Sequence, residues 1–205
     1  SVRKLGDKIA VQHYYELDVA NDAHFDALAA GIKADWGQVD HVVHSIAFAN
    51  KEAFDNRFYE TTRADFAQAV DISAYSLIPL CRALKPLMSE GSGVVAMSYY
   101  GAEKVVPMYK VMGVAKATLE STAGYLAEDL GPDGIRVNCI SAGPVRTLAA
   151  AGIPGFRDLM REAAEKMPLR RQITTEEVAS DCGGAGMVYC TCDPPPVGAR
   201  THAST

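Results

Sequence analysis

The sequence predicts an α/β fold in which helices cover both faces of a parallel sheet. From residue 9 to residue 181, short β-like runs alternate with amphipathic helical stretches, which is the pattern of parallel strands joined by crossover helices. A length of 205 residues, 48% of them hydrophobic, suits one globular domain that buries a sizeable core. No internal repeat interrupts the alternation, so we expect a single folding unit.

Four segments have the pattern of strands and four have that of helices. Strands are predicted at residues 10–17, 39–45, 93–98 and 135–141, and helices at residues 23–36, 62–88, 108–130 and from 174 onward. Asn21 and Asp22 can cap the first helix, and a Gly-Pro-Asp-Gly turn at 131–134 ends the third. The Thr-Thr-Glu-Glu sequence from Thr174 has the form of a capping box at the start of the fourth.

Charge and hydropathy exclude two classes of partner. The formal net charge of −5 argues against a nucleic-acid backbone, which is bound by clustered Lys and Arg. The longest apolar runs are far shorter than the roughly 20 residues that span a bilayer. No basic and then apolar signal peptide opens the chain. We therefore predict a cytoplasmic protein without nucleic-acid or membrane partners.

The five cysteines fall into two groups. Cys81 and Cys139 stand alone inside apolar segments, which predicts buried, reduced thiols. The other three crowd the last part of the chain, where Cys182 is too far from the Cys190 and Cys192 pair for the usual spacing of zinc ligands. The sequence therefore favours no metal site.

Tyr109 and Lys116 are candidate catalytic residues. They lie seven residues apart on a predicted helix, so the phenol and the ammonium project from nearly the same face, roughly 10 Å apart along the axis. The pair suits a nucleotide-dependent reductase, in which the lysine holds a ribose hydroxyl and the tyrosine donates to an oxygen that gains negative charge. Taken alone, however, the spacing favours a surface lysine and a core-edge tyrosine.

The sequence around this pair is more specific. Tyr-x-Gly-Ala-Glu from Tyr99, then Pro-x-Tyr-x-Val-Met-Gly-x-Ala-Lys-Ala from Pro107, resembles the active-site segment of bacterial NADH-dependent enoyl-acyl-carrier-protein reductases. That family is a divergent branch of the short-chain dehydrogenases, most of which place three residues between the tyrosine and the lysine. Here there are six, as in the enoyl reductases. Four such motifs recur in order between residues 9 and 179, and the resemblance implies a Rossmann-like, doubly wound sheet.

The resemblance implies reduction of the trans-2 double bond of enoyl-acyl-carrier-protein thioesters in fatty-acid elongation, with NADH as the cofactor. Tyr109 would stabilise the enolate at the thioester oxygen, and Lys116 would hold the nicotinamide ribose. Tyr99 matches a second tyrosine beside the substrate, and Ala49 matches a position at the thioester end. The catalytic candidates are thus Tyr109, Lys116 and Tyr99, and the substrate-binding ones are Ala49, Tyr99 and Tyr109.

Three further segments match cofactor-binding strips of the family. Together with Lys116 they give the cofactor-binding candidates Asp18, Val19, Ser45, Ile46, Ala47, Val145, Arg146, Thr147, Leu148 and Ala149. Ser45 ends a predicted strand, at the carboxyl edge where open α/β sheets bind ligands. Asp18 fits equally well as a cap of the following helix, and His44 fits a packed or hydrogen-bonded histidine better than a proton donor. Residues 148–156 match the mobile substrate-binding loop of the family, whose motion glycine permits.

Both ends of the sequence depart from the family. No Gly-rich phosphate-binding turn precedes Asp18, so we expect the sheet to lack the first βαβ segment and the last strand. In the doubly wound order the missing first strand separates the strand at 10–17 from the strand at 39–45, so we expect this chain alone not to fold stably. Residues 1–180 would form an incomplete reductase domain. Residues 181–205 would form a disordered tail outside the family pattern, for which a reading-frame shift is our hypothesis.

The resemblance also implies partners. An acyl carrier protein would present the enoyl chain, and the chain would form a homotetramer through the long helices after Thr62 and Met108. Two alternatives stay open. One is a short-chain dehydrogenase with another substrate, which the six-residue interval disfavours. The other is an inactive remnant or a non-catalytic binding module of the same fold, which the departures at both ends favour.

Overall fold

A three-stranded parallel sheet lies at the centre of the chain in the computed structural model, which describes residues 2–145, 158, 160, 161, 164, 165 and 169–183. The elements in chain order are α1 (Val2–Gly6), α2 (Asp22–Asp35), β1 (His41–His44), α3 (Glu52–Asp55), α4 (Arg63–Val70), α5 (Leu77–Leu84), β2 (Gly93–Tyr99), α6 (Lys110–Leu130), β3 (Arg136–Ala142) and α7 (Thr175–Gly183). The α/β class and the parallel sheet predicted from the sequence are confirmed.

The strands lie in the order β1-β2-β3, and both pairings are parallel. His44 is opposite Ala96, and Tyr99 is opposite Ala142, so the three strands end near one edge. The central strand β2 is buried along most of its length, because it has neighbours on both sides and helices on both faces. The predicted strands at 39–45, 93–98 and 135–141 are therefore confirmed.

The strand predicted at residues 10–17 is not formed. This segment has no regular secondary structure, and Tyr15 and Leu17 pack against a cluster that contains Phe25. Within the described part of the chain, however, no strand lies beside it, since β1 pairs only with β2. A β-ladder requires a partner for its N–H and C=O groups, so the β-like pattern alone did not make this segment a strand.

The predicted helix ends are confirmed by the capping contacts. The Asn21 side chain accepts a hydrogen bond from the Ala23 N–H at 3.2 Å at the start of α2. Gly134, with φ of +71°, ends the turn that follows α6. At α7, the Thr174 hydroxyl accepts from the Glu177 N–H at 3.2 Å, and the Glu177 carboxylate accepts from the Thr174 N–H at 2.9 Å.

The helix predicted at residues 62–88 is interrupted by a π turn at Asp71–Tyr75. The Ser76 N–H donates to the Asp71 carbonyl, five residues earlier, at 3.1 Å. Pro79 provides a physical cause, because it has no N–H for the Tyr75 carbonyl and its ring would collide with that carbonyl in a regular helix. The π turn accommodates this and separates α4 from α5.

The apolar side chains form three clusters. The first joins the sheet to α5 and α6, through buried residues that include Leu77, Val94, Leu119 and Val137. The second packs α2 against α5, and the third packs α3 and α4 against the start of α6. Helix α7 lies on the opposite face of the sheet, where Cys182 Sγ is 3.9 Å from Met97 Sδ.

Cys81 and Cys139 are buried thiols that form no disulfide within the described residues, as predicted. Burial raises the pKa of Cys81 to about 12, so its thiol is not ionised at neutral pH. Cys190 and Cys192 lie outside the described residues. None of the described helices is both long and apolar enough to cross a membrane.

Candidate active site

The candidate site lies at the edge where the three parallel strands end. Tyr99 is the last residue of β2, Ser45 directly follows β1, and Val145 follows β3 by three residues. The carboxyl ends of parallel strands meet at one edge, which is where open α/β sheets bind ligands. Helix α6 begins beside this edge, with Tyr109 at its N-cap and Lys116 two turns further on.

Tyr99 and Tyr109 form a ring pair. Their centroids are 4.7 Å apart with an interplanar angle of 68°, an edge-to-face arrangement. Gly101 lies between them, and a Cβ atom there would be 2.7 Å from Tyr109 Cδ1 and 3.0 Å from Tyr99 Cδ1. The pair therefore requires glycine at position 101. The structure brings together the two tyrosines that the sequence assigned to the substrate.

Both phenols are protonated at neutral pH and available as donors. Within the described part of the chain, neither hydroxyl has a hydrogen-bond partner. Burial raises the pKa of Tyr99, and it raises the pKa of Tyr109 further, with a smaller contribution from Tyr99 beside it. A protonated phenol in a half-buried position suits donation of a hydrogen bond to an oxygen that gains negative charge.

Lys116 is a nearly buried cation, with only 5% of its surface exposed. Its ammonium donates to the Met97 carbonyl of β2 at 2.5 Å. Burial lowers its pKa to about 8, and the nearby Cys139 and Glu120 oppose that shift. The side chain is therefore mainly protonated at pH 7 and places a positive charge beneath the carboxyl edge of the sheet.

Glu120 is a residue of this site that the sequence reasoning missed. It lies one helical turn beyond Lys116 on α6, and its carboxylate accepts a hydrogen bond from the Ser98 hydroxyl of β2. Burial raises the pKa of Glu120, whereas the Ser98 bond and the Lys116 charge lower it. The i,i+4 spacing of Lys116 and Glu120 was the available signal, since residues four apart are neighbours on a helix.

His44 is fully buried and carries no charge at neutral pH. Its Nε2 is 2.8 Å from Ser76 Oγ, and that hydroxyl donates to the Ile72 carbonyl at 2.7 Å. Because the Ser76 proton is used in that bond, Nε2 must carry the imidazole proton. Burial, together with the charge of Lys116, lowers the pKa of His44 to about 4. This is the packed, hydrogen-bonded histidine that the sequence favoured.

The strip after β1 is fixed by a serine of the π turn. Ser45 and Ala47 are exposed, while Ile46 and Ala49 are half-buried. The Ser73 hydroxyl accepts from the Phe48 N–H at 3.0 Å and approaches the Phe48 carbonyl at 3.3 Å. One side chain thus binds both backbone groups of Phe48. Sequence reasoning missed Ser73, because no pattern pairs it with a residue 25 positions away.

Asp18 lies in an exposed turn before α2. Its carboxylate accepts from the Ala20 N–H at 3.0 Å, and its own N–H donates to His24 Nδ1 at 3.0 Å. Asn21, not Asp18, caps α2. The alternative of Asp18 as a helix cap is therefore wrong, and none of its described hydrogen bonds reaches the tyrosine pair. Val19 packs against the second apolar cluster.

The strip after β3 is described only in part. Val145 is half-buried and follows the buried Pro144. The other candidates of this strip, Arg146, Thr147, Leu148 and Ala149, lie outside the described residues, as does the predicted substrate-binding loop at 148–156.

Comparisons with known proteins identify the relatives of this chain. A family model described as "Enoyl-(Acyl carrier protein) reductase" matches residues 1–183. An NADH-dependent enoyl-[acyl-carrier-protein] reductase of Rickettsia prowazekii is 44% identical over 186 residues, which are 91% of this chain and 70% of the relative. An NADPH-dependent one of Staphylococcus aureus is 50% identical over 166 residues, 81% of this chain and 65% of the relative. The chain thus spans about two thirds of the length of these relatives.

A solved structure gives the same result. The chain superposes on an enoyl-[acyl-carrier-protein] reductase (NADH) from Aquifex aeolicus with a TM-score of 0.85 at 45% identity. The superposition covers 91% of this chain and 76% of the other.

Proposed function

The chain belongs to the enoyl-(acyl carrier protein) reductase family, and from that membership we propose that it reduces the trans-2 double bond of enoyl-acyl-carrier-protein thioesters with NADH, in fatty-acid elongation. The observation that carries the proposal is the tyrosine pair at the carboxyl edge of the sheet, with the buried cation of Lys116 on the same helix as Tyr109. The relatives from Rickettsia prowazekii and Aquifex aeolicus are named as NADH-dependent enoyl-[acyl-carrier-protein] reductases.

Each residue of the site has a proposed role. Tyr109 donates its hydroxyl to the thioester oxygen and stabilises the enolate that forms there. Lys116 holds the nicotinamide ribose and contributes positive potential at the carboxyl edge. Tyr99 lies against Tyr109 and borders the substrate. NADH, when bound, supplies the hydride that reaches the β-carbon.

The described residues fit one end of the cofactor. The nearly buried Lys116 is a donor for ribose hydroxyls, and the exposed Ser45 and Ala47, with Ile46 between them, follow β1 at the same edge. We propose these residues for the nicotinamide and ribose, Asp18 and Val19 for the adenine end, and Val145 to Ala149 for the nicotinamide and pyrophosphate. Ala49 is proposed at the thioester end of the substrate.

The proposed partners are an acyl carrier protein and further copies of the chain, in the cytoplasm. For the homotetramer, the support is an apolar outer surface on α5 and α6. Tyr125 is 77% exposed, and a groove beside it is lined by Ile78, Thr122, Leu126 and Asp129. Exposed apolar patches of this kind are typical of protein interfaces.

A non-catalytic remnant is the second candidate. It is favoured by residues 10–17, which have no strand partner in the described structure. Titration of the chain with NADH, followed by cofactor fluorescence, separates the two functions. A reductase must bind NADH, whereas a remnant need not.

Replacement of Tyr109 by Phe tests the catalytic assignment. We expect Tyr109→Phe to lower kcat for an enoyl thioester by on the order of a hundredfold, because it removes a donor to the developing oxyanion. NADH affinity should stay within about twofold, since the phenol is not proposed to bind the cofactor. Steady-state kinetics and NADH titration measure the two effects.

Tyr59→Phe is the matched control, because Tyr59 is an exposed tyrosine to which no role in the site or in an interface is assigned. It should leave both quantities unchanged. Equal losses of turnover and of cofactor binding in Tyr109→Phe would refute the assigned role.

A further inference from the structure

Lys110 has an unusual backbone conformation directly beside Tyr109. It is the first residue of α6, and its φ is +42°. That left-handed region is disfavoured for residues with a Cβ atom and is usually occupied by glycine, asparagine or aspartate. A lysine there must be held by other interactions, and such outliers are concentrated at functional sites.

The interactions that hold Lys110 are made by its ammonium. Nζ donates to the carbonyls of Phe54 and Asn56, the latter at 2.5 Å. These carbonyls lie at the end of α3, where helix carbonyls have no partner within the helix. A cation at a helix C-terminus is also favoured by the peptide dipoles. The ammonium of Lys110 is thus bound by carbonyls of residues that lie more than 50 positions earlier in the chain.

Tyr109 and the segment that binds the Lys110 ammonium pack against the same apolar cluster. Phe54 and Tyr109 both pack against the third apolar cluster, which contains Val111 and Ala115 of α6. The Tyr109 carbonyl accepts from the Met112 N–H at 3.0 Å, in the first turn that Lys110 enters. The φ angle of Lys110 therefore sets the direction in which Tyr109 leaves the helix. If the ammonium were released, Lys110 would relax to negative φ and Tyr109 would turn relative to α6.

We propose that Lys110 is a positioning residue for Tyr109, which fixes the phenol by binding the carbonyls of Phe54 and Asn56 while its own backbone stays left-handed. Its effect on turnover rests on the proposed reductase function. Its effect on the Tyr109 ring does not, so the two can be measured separately.

The test compares three variants of the full chain. Lys110→Met removes the donors but keeps a long side chain. Lys110→Arg keeps a cation with N–H donors and should rescue the contact. Lys51→Met is the matched control, because Lys51 is an exposed lysine at the N-cap of α3 whose ion pair with Asp55 is long, at 3.9 Å.

The first measurement is NMR of the tyrosine rings in ¹³C-labelled protein, with the Tyr109 signal assigned from Tyr109→Phe. The ring current of Tyr99 makes this signal sensitive to the geometry of the pair. We expect it to shift or broaden in Lys110→Met and to stay in place in Lys110→Arg and Lys51→Met. An unchanged signal in Lys110→Met would overturn the proposal.

The second measurement is turnover of an enoyl thioester, with NADH affinity measured in parallel. We expect kcat of Lys110→Met to fall about tenfold or more, since small misplacements of a catalytic group are costly. NADH affinity should be unchanged, and Lys110→Arg should recover most of kcat. A moved ring with unchanged kcat would overturn the link to catalysis.

If the unchanged chain neither binds NADH nor reduces the thioester, the proposed function fails, and the ring signal still decides whether Lys110 positions Tyr109. If Lys110→Met does not fold, Lys110→Ala replaces it, because alanine keeps the Cβ atom that disfavours the left-handed conformation and also lacks the donors. The same displaced ring is expected there, and an undisturbed ring would overturn the proposal.

Discussion

The ammonium of Lys116 has exchanged most of its contact with water for a carbonyl of β2. Its pKa is lowered from the usual 10.5 to about 8, chiefly by burial. In the unfolded chain the lysine holds its proton up to the higher value. Between pH 8 and 10.5 this lysine therefore binds more protons in the unfolded chain than in the folded one, so its contribution to the free energy of unfolding rises with pH in that window.

This difference in pKa predicts opposite trends with pH for NADH affinity and for the stability of the fold. As pH rises through about 8, NADH affinity should fall, because the cation proposed to hold the ribose loses its charge. The stability of the unchanged chain should rise over the same range, relative to Lys116→Met. Urea midpoints and NADH dissociation constants, measured every half unit between pH 7 and pH 10, test both trends.

Glu120→Gln provides the comparison for these curves, because it removes a neighbouring charge that raises the pKa of Lys116. The fall in NADH affinity and the rise in stability should then both begin at lower pH. Glu128→Gln removes an exposed charge two turns further along α6 and should leave them in place. If the unchanged chain, Glu120→Gln and Glu128→Gln gave the same curves, the assignment of the transitions to Lys116 would be contradicted.

Sequence reasoning identified some residues of the site and missed others for a physical reason. Tyr99, Tyr109 and Lys116 lie in one continuous motif, which can be recognised before the fold is known. Ser73 and Lys110 act through hydrogen bonds to backbone groups 25 and more than 50 residues away. Such contacts carry no local pattern, because any backbone carbonyl or N–H can be their partner.

At the scale of elements, α6 carries two glycines in different surroundings. A Cβ atom at Gly113 would lie 2.8 Å from the carbonyl oxygen of Gly101, a backbone atom of the segment between the two tyrosines. At Gly124, no atom lies within 4 Å of such a Cβ. Gly113 thus allows the helix to approach the Gly101 segment closely, whereas Gly124 only weakens the helix.

We expect alanine to have opposite effects at these two positions. Gly113→Ala should destabilise the fold by about 1–3 kcal/mol and impair turnover, because the helix or the Gly101 segment must shift. Gly124→Ala should stabilise it by up to about 1 kcal/mol, the difference in helix propensity. Urea unfolding of the two variants measures both changes. Equal effects at both positions would show that helix propensity alone decides them.

The success of the predicted elements depended on where their hydrogen bonds are made. Helices α2, α6 and α7 were predicted within a few residues, since their caps and backbone bonds are local to the sequence. The strands β1, β2 and β3 were predicted because their apolar runs find parallel neighbours. Residues 10–17 have a similar pattern but no neighbour, and the pattern could not reveal that.

For the whole molecule, this difference predicts an uneven pattern of amide hydrogen exchange. Strand β2 is bonded on both sides, so the amides of residues 94–98 should exchange at least about a thousandfold more slowly than in an unfolded chain. The amides of residues 12–17 donate no hydrogen bond in the described structure and should exchange at nearly unprotected rates.

The same experiment bears on the expectation that this chain alone does not fold stably, which remains a prediction. Rapid exchange throughout β2 would support it. Slow exchange of the β2 amides together with fast exchange at residues 12–17 would show that the sheet is stable although that segment has no strand beside it.

The π turn at Asp71–Tyr75 has a consequence for how this region is aligned with its relatives and how it can be redesigned. Residues before the turn pack with the start of α6, whereas Leu80 and Leu84 after it pack with α2. Because the π turn holds one residue more than an α turn, removal of one residue here would close it into a regular α turn and leave both leucines facing the core, while Pro79 would then meet the carbonyl four residues before it. A single-residue gap at this point therefore marks the loss of the π turn, with the packing of α5 against α2 retained.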